Sequence, residues 1–147
     1  MGTGRRDFLK IWCEQALNGT IHEAPLTTRG IFWTLALLIG NGNLSDWGIL
    51  GISERMGYTD DQIAELLNSK PLHWAMAKEW LSAWRGDKKP LIAVLDANVI
   101  AVVHWPQFQP EYDRQKKYRN PESRKIQLWL QGKIDERLQA LVTGKGD

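Results

Sequence analysis

At 147 residues, with 43% hydrophobic content, the chain is long enough to bury one core and too apolar for wholesale disorder. Its single cysteine, Cys13, excludes an intramolecular disulfide and suits a reducing, cytoplasmic compartment; no run approaches the ~18 to 20 apolar residues of a membrane span, and MGTGRRDF lacks a signal peptide's apolar region. The formal net charge of +2 conceals an asymmetry: residues 1–69 hold 5 Lys/Arg against 8 Asp/Glu, residues 70–147 hold 14 against 9, so the second half is the one suited to an anionic partner.

In chain order, RDFLKIWCEQAL (residues 6–17) sets Phe8, Ile11, Trp12 and Leu17 near helical spacing, and Asn18-Gly19 stops it; this predicts a docking helix. TTRGIFWTLALLIG, residues 27–40, is almost continuously apolar after Arg29 and predicts a central helix, the hub of the core. NGNLSDWGILGI then reads as a loop with an apolar insert around Trp47 and Leu50, which pattern alone does not assign to a strand. At Thr59-Asp60-Asp61-Gln62 the spacing predicts a capping box, with the aspartates at the positive end of a new helix. Adjacent side chains diverge on a helix, so these aspartates do not make a proton-sharing pair.

The helix IAELLN turns at Asn68-Ser69-Lys70, and Pro71 opens a second helix, LHWAMAKEWLSAW. Asn68 suits a left-handed turn residue, and proline suits a first helical turn because its missing amide hydrogen is not needed there. Ile63, Ala64 and Leu67 share one face of the first helix. On the second, Trp74, Ala77, Trp80, Leu81 and Trp84 form the core stripe, with Lys78, Ser82 and Arg85 on the opposite arc beside Ala75 and Glu79. After Gly86-Asp87-Lys88-Lys89-Pro90, the runs LIAVL and VIAVVHW around Asp96-Ala97-Asn98 predict a β-hairpin, apolar on both faces. Asp96 gives its tip no cation for phosphate.

His104-Trp105-Pro106 ends the hairpin, Trp105 and Phe108 being expected to clamp it to the core. The chain then becomes basic at Arg114, Lys116, Lys117 and Arg119, an arm leaving the domain. From Pro121 onward, Ile126, Leu130, Ile134, Leu138 and Leu141 make an amphipathic helix. It packs either on its own domain or against a second chain, as a homodimer through residues 121–143. The expected fold is therefore mainly α with a small β-hairpin: a winged helix-turn-helix over residues 1–110 with its docking helix, then a basic arm and C-terminal amphipathic helix over 111–147.

A winged helix whose second strand runs into His104-Trp105-Pro106-Gln107-Phe108-Gln109 and then EYDRQKKYR resembles the N-terminal DNA-binding domains of phage replication initiators, the replisome organisers related to the DnaD type. LKIWCEQALNGTI and TRGIFWTLALLIGNG resemble that group's opening helices, so the likeness covers most of residues 8–120. The family's strand end reads Asn-Trp-x-Lys-Tyr-Gln. His104 and Gln107 stand where it has asparagine and lysine, and any nucleic-acid contact carried by those two positions does not transfer. The resemblance implies double-stranded DNA as partner, replication proteins of host or phage as further partners, and the cytoplasm of a bacterial host cell as location.

The histidines His22, His73 and His104 have no metal-site spacing, no P-loop occurs, and no Ser-His-Asp or Cys-His grouping can be ruled in from the sequence. The expectation is a protein that is not an enzyme and needs no cofactor. It acts as a DNA-binding protein in replication initiation, with a winged-helix interaction adaptor or transcriptional regulator as the alternatives. On the DNA reading, Lys78, Ser82 and Arg85 lie near the groove, and Lys70, Lys88, Lys89, Arg114, Lys116, Lys117, Arg119, Arg124 and Lys125 neutralise phosphates.

Overall fold

The computed structural model describes residues 19–105 and 121–145, so the expected docking helix with Cys13, the clamp at Phe108 and the basic run 114–119 lie outside the described residues. The element order is a 3-10 turn (Thr20–Glu23), α1 (Leu26–Gly40), β1 (Ile49–Leu50), α2 (Asp60–Leu66), α3 (Pro71–Leu81), β2 (Ile92–Val94), a 3-10 turn (Asp96–Asn98), β3 (Ile100–Val102) and α4 (Pro121–Lys145). The protein is thus mainly helical, with a small antiparallel sheet.

Helix α1 is the expected hub. Ile31, Phe32, Leu35, Ala36 and Ile39 are buried along it, joined by Ile21 and Ala24 from the preceding turn. Helix α2 starts with the complete capping box: Gln62 N–H donates to Thr59 Oγ1 at 3.2 Å and Thr59 N–H to Gln62 Oε1 at 2.9 Å. That exchange satisfies two amide donors that a helix start otherwise leaves to water. Asn68, with φ 54, takes the left-handed turn, and Pro71 is the first residue of α3. Ile63, Ala64 and Leu67 are all buried, as their shared face requires.

Helix α3 is shorter than its apolar spacing predicts. It ends at Leu81, where the chain turns and the Leu91 N–H reaches the Leu81 carbonyl at 2.9 Å. Trp74, Ala77 and Leu81 are buried as expected, whereas Trp80 is half-buried under the Arg85 guanidinium, 3.6 Å from the ring centroid. Trp84 is not part of the stripe: it packs in a second cluster and its indole N–H donates to the Leu138 carbonyl at 3.1 Å.

The sheet has the order β1-β3-β2, pairing Ile49 with Ala101 and Ala93 with Ala101 across the central strand. The apolar insert near Leu50 is therefore a third strand beside the expected hairpin. Successive residues point to opposite faces, and both faces are covered. Leu50, Ile92, Ile100 and Val102 meet the helical core, while Ile49, Ala93, Val99 and Ala101 meet Leu130, Ile134 and Leu138 of α4. This explains a hairpin apolar on both sides. The α4 stripe expected either in cis or in trans packs in cis, Leu130, Ile134 and Leu138 lying against the chain's own sheet. Three such side chains contribute about 1.5 to 3 kcal/mol each on burial. Among the described residues no helix is long and apolar enough to cross a membrane.

Candidate nucleic-acid interface

The two ends of the sheet differ in chemistry. At the hairpin tip, a polar knot fixes α2, α3 and the turn together. Asp60 Oδ1 accepts from the Trp74 indole N–H at 3.0 Å, the Lys78 ammonium at 2.9 Å and the Asn98 amide at 3.0 Å. Lys78 also donates to Asn98 Oδ1 at 2.9 Å, and the Asn98 amide to the Tyr58 carbonyl at 2.9 Å. Asn98 reaches these partners because it and Ala97 both adopt left-handed backbone, each with φ 59. The turn is closed by the Gly57 N–H donating to the Ala97 carbonyl at 3.0 Å, an approach so tight that a Cβ at position 57 would overlap the Asn98 carbonyl. Partial burial pushes the Asp60 carboxyl up, but the hydrogen bonds from Lys78, Trp74 and Asn98 together with the Lys78 charge outweigh it, and the net direction is down.

The opposite end is the base of the hairpin, where β2 begins and β3 ends, joined by the Val103 N–H donating to the Leu91 carbonyl at 3.0 Å. Arg85 and Lys88 bridge each other's backbone just before β2, and Lys89 acts on His104. Burial first, then the Lys89 charge, lowers the His104 pKa, so the imidazole favours its neutral form. Trp105 closes this end, nearly fully buried, with its indole N–H donating to the Ser45 carbonyl at 2.6 Å. It lies on Gly48, whose φ of +67 and contact with the ring leave no room for a side chain. Helix α4 also begins here, because the Trp47 indole N–H reaches the Ser123 carbonyl at 3.4 Å. The exposed Arg124 and Lys125 follow at once.

The structure thus divides the expected phosphate contacts. Lys89, whose charge acts on His104, and Arg124 and Lys125, just after the Ser123 contact to Trp47, lie toward the base end of the sheet, whereas Arg85 follows Trp84, which is bonded to Leu138 far along α4. Lys88 is paired with Glu23 at 3.0 Å, an exposed ion pair worth at most about 1 kcal/mol. Lys70 is exposed at the N-cap of α3. Of the residues expected near the groove, Lys78 is held by Asp60 and Asn98, and the Ser82 hydroxyl donates to the Lys78 carbonyl at 2.7 Å. Arg114, Lys116, Lys117 and Arg119 lie outside the described residues.

The outward arc of α3 consists instead of Leu72, Ala75, Met76 and Glu79, all exposed. That composition could not be weighed from the sequence, because the arc's cation, Lys78, is drawn away by partners 18 and 20 residues distant. A cleft of about 240 Å³ between the hairpin tip and α4 is lined by Glu54, Arg55, Leu95, Asp96, Trp129 and Lys133, with Arg55 stacked 4.4 Å from the Trp129 centroid. Among the described residues no cluster of His, Cys, Asp or Glu has the makings of a metal site. No protein-family model, curated protein or solved structure matches the chain.

Proposed function

We propose that the chain is a non-catalytic winged-helix protein that binds double-stranded DNA and serves replication initiation of the phage or prophage type. The observation that carries this reading is the order helix, strand, helix, turn, helix, hairpin with strands arranged β1-β3-β2, which is the arrangement a winged helix-turn-helix needs to hold its hairpin beside the second helix of the pair. The replication assignment rests on the resemblance of the strand end HWPQFQ and the basic run after it to phage initiators. On this reading phosphate contact falls to the exposed cations Arg85, Lys89, Arg124 and Lys125, with Lys70 and the run from Arg114 to Arg119, rather than to Lys78 and Ser82.

A mobility-shift titration at several salt concentrations tests this. If five or six phosphates are contacted, affinity falls with a log–log slope of about −5. Replacing Arg85, Lys89, Arg124 and Lys125 with alanine makes that slope shallower by about one for each phosphate the protein no longer neutralises. Absence of binding to any duplex at low salt overturns the reading.

A further inference from the structure

We propose that the outward arc of α3 is a docking face for an amphipathic helix of a partner protein, one whose apolar stripe is flanked by lysine and arginine. At about 100° per residue, Leu72, Ala75, Met76 and Glu79 fall on one side of α3, opposite the buried Trp74, Ala77 and Leu81. Leu72 is 66% exposed, Met76 59%, and Leu66, just before the turn into α3, 44%. A single exposed leucine is ordinary, but an i, i+4 apolar pair with an alanine between them, and another leucine beside the turn, is the surface an apolar helix stripe packs against.

The chemistry around these residues selects the partner. Asp61 and Glu65 on α2 and Glu79 on α3 are exposed, and Lys78 is turned into the knot with Asp60 and Asn98. Lys70, exposed at the N-cap of α3, is the cation beside the arc, but Asp61, Glu65 and Glu79 outnumber it, so the balance of charge is acidic and disfavours a nucleic-acid backbone. A second copy of the chain is a poor occupant too, since a self-complementary contact would set acidic rim against acidic rim. An apolar stripe with cationic flanks satisfies both components. This surface is additional to the DNA contacts proposed at Arg85, Lys89, Arg124 and Lys125, and the two are separable by mutation.

The test uses the full chain, isotope-labelled, titrated with two designed helical peptides that share one leucine stripe but carry either lysine or glutamate on its flanks. The expected result is saturable shifts confined to amides of α2 and α3, with the lysine peptide binding about tenfold tighter or more at low salt. The double variant Leu72→Glu, Met76→Glu, whose side chains are exposed and whose melting temperature is expected to hold, loses that binding by about tenfold or more while keeping duplex affinity. Glu79→Lys weakens the preference for the lysine peptide. Shifts elsewhere, or equal affinity for both peptides, overturn the proposal. Loss of duplex affinity in the double variant also overturns it and assigns the arc to DNA.

Discussion

Removing the Asp60 carboxylate takes the shared acceptor from three donors at once. In Asp60→Ala, the Trp74 indole N–H is the costly one: Trp74 is 1% exposed, and a buried donor left unsatisfied costs about 1 to 3 kcal/mol. Lys78 and Asn98 retain their mutual hydrogen bond and turn partly to water, so each adds about 0.5 kcal/mol. The Lys78 ion pair adds little, because the Asp60 side chain is 56% exposed and its charge is screened. Loss of a negative group from the first turn of α2 adds about 0.3 kcal/mol. The total is about 2 to 4 kcal/mol, read as a lower urea midpoint with unchanged slope. Repeating the substitution with Trp74→Phe removes the stranded indole donor, and the cost of losing Asp60 should shrink by at least about 1 kcal/mol. If Asp60→Ala lies within about 0.5 kcal/mol of the parent, the knot does not hold the α2, α3 and hairpin elements together and the reasoning fails.

The same carboxyl sets an acid limit. Its pKa is lowered in the folded state, so its contribution is fully present above the unfolded value of about 4 and is lost as pH falls through the folded one; Asp60→Asn flattens that part of the stability–pH curve in urea titrations. Gly57→Ala should destabilise by about 3 kcal/mol, because the new methyl meets backbone carbonyls of Ala97 and Asn98 rather than a side chain able to move. Gly132→Ala, in mid-α4 with open space around the added carbon, should instead stabilise by about 0.5 to 1 kcal/mol, seen as a higher melting temperature. Truncation after residue 119 uncovers Ile49, Ala93, Val99 and Ala101; light scattering and thermal melting should report a less stable, association-prone protein, not a well-behaved monomer.

What could be read from the sequence was what is decided locally. The capping box at Thr59 and Gln62, the left-handed Asn68, Pro71 at the start of α3 and the Asp96 to Asn98 turn each depend on neighbours within a few residues, and each appears where the sequence places it. Strand β1 was not decidable, because two residues become a strand only through the ladder with β3. Trp84 misled for a related reason: it continues the apolar spacing of Trp74, Ala77 and Leu81, yet its place is beside Leu138, which no local pattern encodes. At the candidate site, the exposed cations are legible as residue types, but the placing of Arg124 and Lys125 beside β1 follows from the Trp47 contact to Ser123 of α4, 76 residues away in sequence. The capture of Lys78 depends on Asp60 and Asn98, both distant in sequence.

The sheet is a wall shared by two hydrophobic clusters, and the face that receives α4 is assembled from all three strands. Until β1, β3 and β2 have paired there is no surface for Leu130, Ile134 and Leu138 to leave water for, and an isolated helix of α4's composition, with glycine at its middle, is marginal alone. The expected order of assembly is that the α1 to β3 unit forms first and α4 closes over it last. Weakening the α4 contacts, as in Leu138→Ala, should then speed unfolding and leave the folding rate nearly untouched in stopped-flow urea jumps, the behaviour of a latch on lifetime rather than of a guide to the fold.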